Sequence, residues 1–70
     1  MTKIDPQLIN AMRSALEEVM TRVPSEYSSS ATKAYLAERI LKAAAQGYTT
    51  FDEFVAVAAE QIQTALSLFL

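Results

Sequence analysis

Few residues in this 70-residue chain could do covalent or acid–base chemistry. It has no His and no Cys, which removes the commonest general base and the strongest nucleophile. Paired carboxylates stand at Glu17/Glu18 and Asp52/Glu53, but neighbours on a helix point about 100° apart and cannot grip one substrate together. No Ser or Thr has a base beside it in a recognisable nucleophile pattern. Gly47 is the single glycine, so a phosphate-cradling loop is excluded, and no carboxylate cluster has the one-face spacing that a hard cation needs. The expectation is a non-enzyme with no catalytic, cofactor-binding or metal-ligating residues, no cofactor and no small-molecule substrate.

The cations make a second candidate chemistry. All six Lys and Arg lie between Lys3 and Lys42, while Ala43 onward carries only Asp52, Glu53 and Glu60 as charges. The outline Ala43-x-x-x-Gly47 followed by a helical pattern matches a helix–turn–helix in spacing. The following segment would nevertheless present acids to phosphates, and Glu53 falls where that motif wants an apolar residue. Upstream, Lys3, Arg13, Arg22, Lys33, Arg39 and Lys42 are interleaved with Glu17, Glu18 and Glu38. No nucleic acid is therefore expected as a partner, since phosphate neutralisation is what such binders live on. A weak nucleic-acid-binding regulator is the third-ranked alternative.

The elements that would position these residues are helical. Asp5-Pro6 reads as a cap followed by proline at the first helical position. Leu8, Ile9, Met12, Leu16, Val19, Met20 and Val23 follow the helical period, and Pro24 ends the run. Arg13–Glu17, Glu18–Arg22 and Glu38–Lys42 stand at ion-pair spacing. The serine-rich connection at 24–30 reads as a solvated loop rather than a phosphorylated switch, with Ser29 or Ser30 capping the next helix and Tyr27 folding back on the core. The second helix is expected to bury Ala34, Leu36 or Ala37, Ile40, Leu41, Ala44 and Ala45, with Tyr35 at the margin. Gly47 is placed to close it in a left-handed conformation, and Tyr48 to pack back on its last turn.

Thr50-x-x-Glu53 fits a capping box opening a third helix, and Asp52 and Glu53 suit the positive end of its dipole. That accounts for both acids structurally. Phe51, Val55, Ala58, Ile62, Ala65 and Phe69, widened by Phe54 and Leu66, form one apolar stripe along a helix roughly 30 Å long. The reading is all-α: a single three-helix domain spanning 1–70, with helices at about 5–23, 30–46 and 50–69 and the third in the groove between the first two.

Size and composition point to a partner. Half the residues are apolar, so the chain should fold, yet it has no disulfide or structural metal to staple it. Unstapled helical cores of this size supply about 3–5 kcal/mol, and oligomerisation is a common remedy. Val57 gives the third helix a second apolar flank, and Leu66, Leu68, Phe69 and Leu70 put apolar groups round its last turn. These five residues are the expected protein interface, against the plainer reading that Leu68 and Leu70 cover the first helix. The expected partner is a second copy or another protein. A membrane-surface helix is the alternative, disfavoured because the polar face of the third helix is acidic. No apolar leader and no spanning segment are legible, so the expected location is the cytoplasm, with no membrane partner.

Asp5-Pro6, Leu8 and Ala11-Met12-Arg13, then Arg39 to Gly47 leading into Phe51-Asp52-Glu53-Phe54, resemble short uncharacterised helical proteins of alphaproteobacteria. Some of those proteins carry a cysteine that this chain lacks. The resemblance implies a small intracellular bacterial protein with no assigned activity, so no functional residue is carried over.

Overall fold

The structure, a computed structural model, describes residues 5–69, and at Phe69 the backbone alone. The described part is all-α: α1 (Pro6–Met20), a 3-10 turn (Ser25–Tyr27), α2 (Ser30–Ala45), α3 (Phe51–Glu60) and α4 (Ile62–Phe69). Helix α3 packs against both α1 and α2, and α4 continues along α2.

The helix starts follow local chemistry. The Asp5 carboxylate accepts the Gln7 N–H at 2.9 Å, with Pro6 at the first position. Ser29 caps α2 by accepting the Thr32 N–H at 3.2 Å. At the end of α2, Gly47 N–H donates to Ala44 and Tyr48 N–H to Ala43, both at 3.1 Å. Gly47 takes φ +107°, a value that an L side chain resists. Tyr48 is 40% exposed.

Helix α1 ends at Met20, short of the expected residue 23. Thr21 donates its hydroxyl to the Glu18 carbonyl at 2.6 Å, and Arg22 and Val23 donate back to Val19 and Met20 in the tighter i→i−3 pattern. Pro24 bars Val23 from the helical region, and the chain unwinds into it over three residues. Val23 is buried all the same.

The expected third helix is two helices, so the described chain has four α-helices rather than three. At Gln61 the backbone reaches φ −93°, ψ −4° and its N–H donates to Ala58 at 2.9 Å, a one-residue break in the α ladder. Neither Pro nor Gly marks the spot. The Tyr35 hydroxyl meets Gln61 Oε1 at 3.3 Å, tying α2 to the break as α4 turns along it.

The core is Ala15, Val19, Val23, Leu36, Ile40, Ala43, Phe54, Ala58 and Ala65. Four of these nine are alanines, so its bulk rests on Phe54, Leu36, Ile40 and two valines, a small reserve of burial energy. Two expected faces are rotated. In α2 the buried line is Thr32, Leu36, Ile40 and Ala43, while Ala34, Leu41 and Ala45 are exposed and Ala44 is half-buried. In α3 the line centres on Phe54 and Ala58, with Phe51 exposed and Val55 half-buried. Thr32 tolerates burial because its hydroxyl takes a hydrogen bond from the Ser29 hydroxyl at 3.3 Å.

Candidate docking groove

The acids singled out in the sequence have local work. Glu53 Oε1 accepts from the backbone N–H groups of Thr49 and Thr50, both at 3.2 Å, and from the Thr50 hydroxyl at 3.0 Å; Thr50 in turn accepts the Glu53 N–H at 3.2 Å. The Thr49 backbone bond, then the Thr50 bonds, hold the Glu53 carboxyl below its ordinary range. Glu18 pairs with Arg22 at 3.3 Å, the single ion pair among the described residues. Arg13–Glu17 and Glu38–Lys42 are not within ion-pair distance. Among the described residues no group of three or more acids could hold a metal ion, and no buried side-chain polar atom lacks a partner.

An apolar groove of about 300 Å³ lies between α1 and α2, lined by Ile9, Met12, Arg13, Leu16, Ala37, Ile40 and Leu41. Its floor is Ile40, from the core; its walls are residues that the fold leaves partly wet. Leu41 is 60% exposed and Ile9 39%. Arg13 is the one charged group in the lining, and among the described residues it makes neither an ion pair nor a side-chain hydrogen bond. Glu38, next to Ala37 and one turn before Leu41, is exposed on α2 and makes no ion pair among the described residues.

Helix α2 is thus apolar on two sides. One line, Thr32, Leu36, Ile40 and Ala43, meets the chain's own core. The other, Ala34, Ala37, Leu41 and Ala45, lies on the opposite side of the helix, and of it Ala37 and Leu41 line the groove with Ile9 and Leu16 of α1. The expected single buried face of α2 is in fact divided between these two lines. A helix of 16 residues with apolar groups spread over more than half its circumference was the available signal.

The residues expected to form an interface on the third helix are placed differently. Val57 and Leu66 are half-buried and pack against the chain's own core. Leu68 is 60% exposed. The Phe69 side chain and Leu70 lie outside the described residues, as does Lys3 among the cations weighed for phosphate contact. No helix among the described residues is long and apolar enough to cross a membrane. A scan against protein-family models and searches of curated proteins and of solved structures find no match to this chain.

Proposed function

We propose that this chain is a non-catalytic protein–protein interaction module that self-associates through the α1/α2 face, most simply as a homodimer. It would serve as a small adaptor or regulator in a bacterial cytoplasm. The observation that carries this is the groove with its two large exposed apolar walls, Ile9 and Leu41, on a chain whose own core, four alanines in nine residues, holds little burial energy in reserve. Contiguous exposed apolar surface of this kind marks interaction sites. A face without excess positive charge favours protein over nucleic acid or anionic lipid as its partner.

Light scattering gives the test. The wild type is expected at twice the 7.7 kDa chain mass, Leu41→Glu at the chain mass, and Leu68→Glu at the dimer mass. A wild type that stays monomeric at high concentration overturns the proposal. A dimer dissociated by Leu68→Glu and not by Leu41→Glu would move the interface to the end of α4.

A further inference from the structure

We infer that α4 is a latched arm: it opens as one unit about Gln61 while α1, α2 and α3 stay folded, and the hydrogen bond between Tyr35 and Gln61 holds it shut. The chain can in this way bare part of its core without unfolding.

Gln61 ends one helix and starts the next. Its N–H donates to the Ala58 carbonyl and its own carbonyl accepts the Ala65 N–H, both at 2.9 Å. The ladders of α3 and α4 therefore meet at a single residue. Unwinding that spreads through α4 reaches a closed helix end there, not a continuous run of bonds leading into α3.

The two sides of this joint are unequal. Eight residues are too few for a helix to persist alone in water, so α4 stays helical by lying against α2. Of its described side chains Ala65 alone is buried, with Ile62 and Leu66 half-buried. Burial energy follows apolar area, and one alanine with two half-covered neighbours supplies little of it. Every other core residue, from Ala15 to Ala58, lies upstream of the break. The body keeps nearly all of its core when α4 leaves, whereas α4 loses what folds it. A segment so placed opens at a lower free energy than the whole domain.

One polar contact spans the joint. From a half-buried position on α2, the Tyr35 hydroxyl donates to Gln61 Oε1 at 3.3 Å. It ties the body to the residue about which the arm swings, and opening parts it. The Arg39 guanidinium stands 5.8 Å from the centre of the Tyr35 ring, so Tyr35→Phe removes the hydroxyl and keeps the ring contact.

The test is native-state hydrogen exchange on the intact chain, read amide by amide by NMR at low urea. Amides of residues 65–68 are expected to share one opening, at least tenfold more frequent than that of Val19, Leu36 and Phe54 and with a smaller urea dependence. Gly47→Ala strains the body and not the arm, so it should speed exchange at Val19, Leu36 and Phe54 about fivefold and leave 65–68 unchanged. Tyr35→Phe weakens the closed state against both openings and should speed all of these amides about fivefold. Circular dichroism checks that both variants keep their helix content. If Gly47→Ala speeds 65–68 along with the rest, α4 opens only with the whole domain and the arm is overturned. Rates graded from residue 68 back to 65 mean end fraying and overturn it equally. Unchanged exchange at 65–68 in Tyr35→Phe overturns the latch.

Discussion

Leu36 and Leu41 are five residues apart on α2, equally apolar, and equally suited by type to a core. The structure gives them opposite roles: Leu36 is fully buried and Leu41 is 60% exposed. Truncating a buried leucine costs transfer energy plus a cavity, so Leu36→Ala is expected to lose about 3 kcal/mol. Full burial of a leucine is worth about 2 kcal/mol, and Leu41 has only two-fifths of its surface covered with no cavity to leave. Leu41→Ala should therefore cost less than about 1 kcal/mol in the monomer. A domain holding about 3–5 kcal/mol in all barely survives the first change and hardly notices the second. Urea titrations followed by helical circular dichroism, run over a wide range of protein concentration, read both numbers. Should Leu36→Ala fail to fold, Ile40→Val at about 1 kcal/mol is the milder core probe. At concentrations low enough for monomer, equal losses from Leu36→Ala and Leu41→Ala would refute the assigned faces of α2. At high concentration the wild-type midpoint should rise by mass action while that of Leu41→Ala stays flat.

Two further outcomes test the local chemistry. Gly47→Ala meets no steric neighbour, yet must hold φ +107°; it should lose about 1 kcal/mol, or about 4–8 °C in Tm by calorimetry. Glu53 has its folded pKa lowered by the Thr49 and Thr50 bonds, so its stabilising contribution is fully present above the unfolded value of about 4.3. It is lost as pH falls from there through the lowered folded value. Glu53→Gln, measured beside the wild type in thermal melts across that window, should show the shallower loss of Tm on acidification. An unchanged pH profile would mean that the capping box carries no titration-linked stability.

The sequence by itself determined the helical class and most helix ends, because caps are local. Asp5-Pro6, Ser29, Gly47 and the Thr50–Glu53 box each act within four residues, and each is found where its chemistry predicts. The poverty of reactive groups was equally legible, since an absent His or Cys needs no fold to be absent. The tertiary structure alone decided three things. It chose which of two apolar lines on α2 is core, because Leu36 and Leu41 differ only in which neighbour reaches them. It broke the last helix at Gln61, where no Pro or Gly warns of it, because packing of α4 along α2 outweighs one uninterrupted hydrogen-bond ladder. And it left Ile9 and Leu41 exposed on the walls of a groove between α1 and α2, while Val57 and Leu66, expected at an interface, pack on the chain's own core. Each of those outcomes rests on contacts between residues distant in the chain, which periodicity along one helix cannot encode.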